Sequence, residues 1–132
     1  MKDVMSGLDL RAIASELQVM VGAHCRKCYQ PHYEQVVLRL RTKEGGNSDL
    51  VLVRGKRIYT SKRDRPMPQS PAPFAMVLRK SLSNARLRVV EQIGYDRILK
   101  FVFEKPFGMF HIYVEVFRDG NIILTDGDDV II

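Results

Sequence analysis

Apolar residues near the start of the chain recur at the spacing of an amphipathic helix. The residues at this spacing are Leu10, Ile13, Leu17 and Met20 or Val21. Ser6 precedes them and Asp9 follows it by three residues, which is the pattern of a helix N-cap with a reciprocal acid. The pattern predicts a helix from residue 6 to about residue 21.

Most later apolar residues alternate with polar ones, as expected for strands with one buried face. The alternation is clearest at Val36, Leu38 and Leu40, which are separated from one another by single residues. Turns rich in glycine, proline and aspartate divide the other apolar runs. Those runs are 50–54, 57–60, 87–93, 98–103, 110–117 and 121–125. The period already changes toward two after Gly22, around Tyr29, and eight or nine strands are predicted in all.

A second helix is predicted to begin at Pro73, because proline is tolerated in a first helical turn. The residues predicted to face the core are Phe74, Val77, Leu78 and Leu82. Arg79 and Lys80 are predicted to project away from that core. The preceding segment, 61–72, holds three of the six prolines and is predicted to be an exposed connection.

This order of elements predicts an α+β fold, an antiparallel β-sandwich or open barrel flanked by two helices. The 132 residues fit one domain, and 45% hydrophobic content is enough for a core without disulfides. The chain ends abruptly at 128–132 in what reads as a strand. We therefore expect it to be the N-terminal part of a longer multidomain protein.

The net charge of +6 favours a polyanionic partner, and the excess is concentrated between residues 54 and 65. Basic side chains on a loop and an adjoining helix face can follow phosphates. The basic RNA-contact candidates are Arg54, Lys56, Arg57, Lys62, Arg63, Arg65, Arg79 and Lys80. The simpler alternative is a solvated surface without a partner.

Cys25 and Cys28 form a lone CxxC with histidines nearby, but the second pair of ligands for a zinc site is missing. Buried structural thiols are favoured over a metal. The chain also lacks a P-loop, an HExxH helix and a GxGxxG turn. It is therefore predicted to be no enzyme and to use no cofactor or small-molecule substrate.

The chain has no signal-peptide pattern, and its apolar runs fall short of the ~20 residues that a membrane-spanning helix needs. A cytoplasmic location without a membrane partner is therefore predicted.

Tyr95, Asp96 and Arg97 interrupt two strongly apolar strands. Such a turn can read an exposed nucleotide, with the acid accepting from a base, the guanidinium meeting phosphate and the ring stacking. The simpler alternative is a local ion pair. Asp9 is likewise most simply a helix-capping acid.

Several blocks along the chain resemble the N-terminal domain of the NFACT family. The blocks are MSGLDL at 5–10, APFAM at 72–76, GYDRIL at 94–99 and GNIIL at 120–124. This family includes ribosome-associated quality-control factors and the proteins known as fibronectin-binding protein A. The resemblance implies a fold similar to the N-terminal domain of formamidopyrimidine-DNA glycosylase.

The resemblance also implies a function. Members recruit tRNA, with alanine tRNA as a candidate, to obstructed large ribosomal subunits for untemplated C-terminal tailing of stalled peptides, and the N-terminal domain binds the tRNA. The implied tRNA-binding residues are Asp9, Asp96, Arg97 and Glu115, the last at a place where Arg118 and Asp119 depart from the commoner pattern. Cys25 and Cys28 lie where relatives usually carry apolar residues. The implied partners are tRNA and, through the full-length protein, the rRNA-rich large ribosomal subunit.

Two alternatives to tRNA binding stay open. One is an adhesion or protein-interaction module, as the name fibronectin-binding protein suggests. The other is a non-catalytic DNA-binding relative of the glycosylases, which need an N-terminal proline amine that this chain lacks.

Overall fold

The computed structural model describes residues 5–62, 72–94, 97–117 and 120–132. Two α-helices, one 3₁₀ turn and eight strands occupy these ranges. The helical elements are α1 (Gly7–Glu16), the 3₁₀ turn (Leu17–Met20) and α2 (Pro73–Leu82). The strands are β1 (His24–His32), β2 (Gln35–Arg41), β3 (Asn47–Val53), β4 (Arg57–Ser61), β5 (Arg86–Gln92), β6 (Ile98–Lys105), β7 (Gly108–Glu115) and β8 (Ile122–Asp126).

The predicted cap of α1 is confirmed. The backbone N–H of Asp9 donates to Ser6 Oγ at 3.1 Å, and the N–H of Ser6 donates to Asp9 Oδ2 at 2.9 Å. The helix is shorter than predicted because its last turn tightens into a 3₁₀ turn before Gly22 redirects the chain into β1. Leu10, Leu17 and Met20 are buried as expected.

The eight strands form one antiparallel sheet in the order β4-β3-β2-β1-β5-β6-β7-β8. One core cluster joins residues of both halves, Leu38 and Leu50 from β2 and β3 with Phe101 and Ile112 from β6 and β7. The sheet is therefore folded over on itself, and Leu10 of α1 packs into the same cluster. This open arrangement confirms the predicted fold class.

Strands β1 and β5 join the two halves, and among the described residues their register holds one pair, His24 and Arg86. Helix α2 packs against β1 and contributes Leu78 and Leu82 to the core. Val77 was predicted to be buried and is not, since 36% of it is exposed and Ala75 is buried instead. Residues 75, 78 and 82 form a narrower stripe than predicted, and Val77 falls at its edge.

Arg79 does not project away from the core as predicted. Its Nε donates to the carbonyl oxygen of Cys28 at 2.8 Å, and its guanidinium lies over the ring of Tyr29. The sequence pattern predicted an arginine in solvent, whereas its long side chain reaches from α2 to β1.

The two cysteines are buried structural thiols, as predicted. A register shift between Cys25 and Lys27 turns both cysteine side chains toward the core, with 3.6 Å between their sulfur atoms. The hydrogen bond between Cys25 and Cys28, followed by burial, raises the pKa of the Cys25 thiol. Within the described ranges, no three His, Cys, Asp or Glu residues are grouped to hold a metal ion.

The described helices are all too short or too polar to cross a membrane. The predicted exposed connection, 61–72, lies mostly outside the described residues. Ser61 ends β4 and Lys62 is exposed.

Candidate nucleic-acid interface

One end of the folded sheet brings together segments that are far apart in the chain. We call it the loop end, and among the described residues it comprises the start of α1, the turns 33–34 and 54–56, residues 92–94 and 97, and residues 115–117 and 120–121. Backbone hydrogen bonds join these segments directly. The N–H of Gly55 donates to Glu115 at 3.0 Å, that of Met5 to Lys56 at 2.7 Å and that of Val116 to Arg97 at 2.7 Å.

A cavity of about 660 Å³ opens at the loop end between α1 and the end of β5. Its lining residues are Gly7, Leu8, Arg11, Ala14, Gln92 and Gly94. Gln92 closes one side by donating from Nε2 to the carbonyl of Gly7 at 3.2 Å. Leu8 is 77% exposed and Arg11 is also exposed. An apolar surface beside a guanidinium can hold a flat ring and an attached anion.

The structure brings three of the four implied tRNA-binding residues to the loop end. Arg97 is exposed at the start of β6, and its main chain is fixed by Val116. Glu115 lies in register with Ile98, directly beside Arg97, and its Oε1 accepts from Asn121 Nδ2 at 3.0 Å. Asp96 lies outside the described residues.

Asp9 stands at the first turn of α1, next to Gly7 and Leu8 of the cavity wall. Its carboxylate caps the helix, which is the simpler role predicted from sequence. The side chain is half-buried, so a second contact with a ligand is compatible with the cap.

Three of the basic candidates also lie at the loop end. Arg54 donates from Nε to the carbonyl oxygen of Gly120 at 3.3 Å, and Arg57 begins β4. Lys56 is exposed, with its Nζ 3.7 Å from Glu34 Oε2. The hydroxyl of Tyr33, and then the charge of Lys56, lower the pKa of the Glu34 carboxyl. This turn therefore presents positive charge next to Arg97 and Glu115.

The other basic candidates lie elsewhere. Lys62 follows β4 at the opposite end of the sheet, and Lys80 is exposed on α2. Arg79 is engaged with Cys28 and Tyr29. Arg63 and Arg65 lie outside the described residues.

Sequence reasoning missed three residues at the loop end. Arg11 and Leu8 could have been found, since an exposed apolar residue and a base in the first turns of a helix are visible in the pattern. Gln92 carries no such signal, because only the folding of β5 against α1 brings it to Gly7.

A sequence profile described as NFACT N-terminal and middle domains matches residues 6–132. The chain is 36% identical over 137 aligned positions to the archaeal Rqc2 homolog aRqcH of Methanocaldococcus jannaschii. It is 35% identical over 133 positions to the human ribosome quality control complex subunit NEMF. All of the chain is aligned in both cases, but it spans only 20% of the archaeal relative and 12% of the human one.

Two solved structures of similar fold are those of streptococcal proteins. The N-terminal part of the fibronectin/fibrinogen-binding protein of Streptococcus suis has a TM-score of 0.88 and 29% identity, covering 97% of this chain and 52% of that one. The N-terminal domain of fibronectin-binding protein PavA from Streptococcus pneumoniae has a TM-score of 0.84 and 28% identity, covering 92% of this chain and 49% of that one. Both similarities span nearly the whole of this chain.

Proposed function

Because this chain belongs to the family of NFACT N-terminal and middle domains, we propose that it is the tRNA-binding module of a ribosome-associated quality-control factor. In this proposal the full-length factor acts in the cytoplasm. It recruits tRNA to obstructed large ribosomal subunits, so that stalled peptides receive an untemplated C-terminal tail. Its similarity to ribosome quality control factors of archaea and animals supports a role in ribosome quality control.

The geometry of the loop end is the observation that carries the tRNA assignment. A cavity with one apolar wall lies next to an exposed arginine, an acid and a basic turn that come from five segments of the chain. Sequence-specific proteins read RNA mainly at unpaired nucleotides, whose bases can enter such a cavity. Positive charge around it meets the neighbouring phosphates.

Each residue has a role that follows from its chemistry. Arg97 pairs with a phosphate or a base edge through its planar fork of donors. Glu115 accepts from a base amino group, and Asn121 holds its carboxylate in place. Leu8 provides an apolar surface for a base and Arg11 a charge for its phosphate. The chain contributes binding and leaves peptide transfer to the ribosome.

The test is binding of the full-length protein to labelled tRNA after Arg97→Ala. We expect about a tenfold loss of affinity, since removing one specific arginine contact costs about 1–3 kcal/mol. Lys105→Ala is the matched control, because it removes one positive charge from the opposite end of β6. The same variants are then compared for tailing of stalled peptides. Equal binding and tailing by the Arg97 and Lys105 variants would contradict the assignment.

A second candidate function rests on the names of the structural neighbours, which are fibronectin-binding proteins. Binding to immobilised fibronectin across a salt series separates the two. Affinity for fibronectin that resists salt and survives Arg97→Ala supports adhesion, whereas salt-sensitive affinity for tRNA supports the first proposal.

A further inference from the structure

A row of basic side chains crosses the sheet at the end opposite the loop end. Arg41, His24 and Arg86 face one another directly on β2, β1 and β5. Strands lie about 4.8 Å apart, so the row is about 10 Å long. Arg41 and Arg86 are exposed, and His24 is partly exposed. Their neighbours Cys25, Leu40 and Leu87 point into the core, which places the row on the outer face.

More positive charge flanks this row on the same strands. Arg26 and Lys27 follow His24 on β1, and Arg88 follows Arg86 on β5. All three side chains are exposed. We call the whole set the basic row, and it comprises His24, Arg26, Lys27, Arg41, Arg86 and Arg88.

Little negative charge compensates the basic row. Among the residues that the structure describes, the acid in register with it is Glu104, opposite Arg86 and 3.7 Å from Arg88 Nε. Lys27 instead faces Arg39, whose guanidinium is already paired with the buried Asp49. Like charges directly opposite one another destabilise a sheet, so this arrangement suits an anionic partner.

We propose that the basic row binds the sugar-phosphate backbone of double-stranded RNA. A protein partner is less suited, since interface cores are depleted of charge and Val89, at 37% exposed, is the large apolar residue bordering the row. Single-stranded RNA is less suited because its sites stack successive bases on several aromatic side chains, and the row offers one ring, the imidazole of His24. Cations spaced across adjacent strands match the regular phosphates of a duplex.

The basic row is separate from the loop end. Arg86 begins β5 and Gln92, beside the cavity, ends it, so the two surfaces lie about 20 Å apart along that strand. The basic row therefore goes beyond the proposed tRNA contact. Through it the protein binds an RNA stem without needing any unpaired nucleotide.

The experiment measures binding of the full-length protein to a blunt RNA duplex without loops, across a potassium chloride series. The variant Arg41→Gln with Arg86→Gln removes two cations that make no side-chain hydrogen bond or ion pair with the described residues. Lys100→Gln with Lys105→Gln removes the same charge from β6. Arg41→Lys with Arg86→Lys retains the charge of the row, and thermal unfolding of all variants checks the fold.

The glutamine variant of the row is expected to lower the slope of log affinity against log salt by about two, one per lost phosphate contact. The β6 control and the lysine variant are expected to keep the slope. Equal slopes for the row and β6 variants would overturn the proposal. The proposal would also be overturned if the glutamine variant of the row bound an acidic peptide more weakly than the wild type does but bound the duplex equally well.

Binding to the duplex also distinguishes this proposal from the tRNA assignment. Arg97→Ala is expected to weaken tRNA binding but leave duplex binding unchanged. If Arg97→Ala affects neither ligand while the row variant weakens the duplex, the loop-end assignment fails and the basic row stands.

Discussion

Arg79 of α2 donates a hydrogen bond of 2.8 Å from its Nε to the backbone carbonyl oxygen of Cys28 in β1. Beyond His24, β1 has no β5 partner, and α2 lies against β1 in its place. The guanidinium of Arg79 also lies 5.3 Å from the centre of the Tyr29 ring, and that of Arg39 lies 5.5 Å from the same ring. The Arg79 side chain thus bonds a backbone carbonyl of β1 that a neighbouring strand would otherwise bond.

Arg79→Leu is expected to lower the free energy of unfolding by about 2 kcal/mol, because a charged hydrogen bond to a backbone carbonyl is lost. Leucine keeps most of the apolar stem of the side chain. Lys80→Leu is the control, since Lys80 is exposed on the same helix and should change stability by less than about 0.5 kcal/mol. Urea unfolding of both variants measures the difference, and equal effects would show that the Cys28 contact adds nothing to stability.

Gly120 lies where the two halves of the sheet meet at the loop end. Its φ is +59°, and a Cβ there would come within 2.4 Å of both Gly55 N and Glu115 O. Gly120→Ala should therefore destabilise the fold and weaken tRNA binding, because backbone atoms must move. Gly45→Ala is the control, with φ +90° but no heavy atom within 4 Å of the new Cβ.

The alanine at position 45 should cost about 1 kcal/mol for backbone strain alone. The alanine at position 120 should cost about 2 kcal/mol more, the usual cost of overpacking. Thermal unfolding and tRNA binding of the two variants provide the comparison. Similar losses of stability would mean that the contact with Gly55 relaxes easily.

Tyr113 provides a pH-dependent contribution to stability. Its hydroxyl donates to Asp129 Oδ1, and burial followed by this hydrogen bond raises the pKa of Tyr113 from 10.0 to about 12. A pKa that is higher in the folded state contributes stability below the unfolded value and loses it as pH rises through the folded value. The contribution should therefore be complete below pH 10 and decline up to pH 12.

The difference in free energy of unfolding between the wild type and Tyr113→Phe should follow this course, being constant below pH 10 and shrinking towards pH 12. Asp129→Asn keeps a residue that tolerates the φ of +63° at this position but removes the acceptor charge. It should shift the decline to lower pH. A difference that does not change with pH between 10 and 12 would contradict the raised pKa of Tyr113.

Much of the fold follows from local patterns. The cap at Ser6 and Asp9, the start of α2 at Pro73 and the alternation at Val36, Leu38 and Leu40 are each set by neighbours a few residues away. The bounds of most strands were correct to within a few residues for the same reason. The stripe of α2 was wrong at Val77, because the width of a buried face depends on what packs against it.

Only part of the candidate site could be predicted from the sequence. The resemblance named Asp9, Arg97 and Glu115, and the structure brings them to one end of the sheet. The cavity at this end could not be predicted, because α1 and the end of β5, which line it, are more than seventy residues apart and meet through Gln92 and Gly7. The basic cluster that looked continuous from 54 to 65 is divided, with Arg54 and Lys56 at the loop end and Lys62 at the other.

The sequence alone determined the antiparallel α+β class and the identity of the charged residues, since these depend on composition and on periods of two or a few residues. The family followed from the resemblance of several sequence blocks. Tertiary structure decided which charges become neighbours. Arg41, His24 and Arg86 form one row because β2, β1 and β5 are paired there, and Arg79 bonds Cys28 where β1 is paired with β2 but no residue of β5 is in register with it. Such pairings depend on long-range packing of the core, which no local pattern encodes.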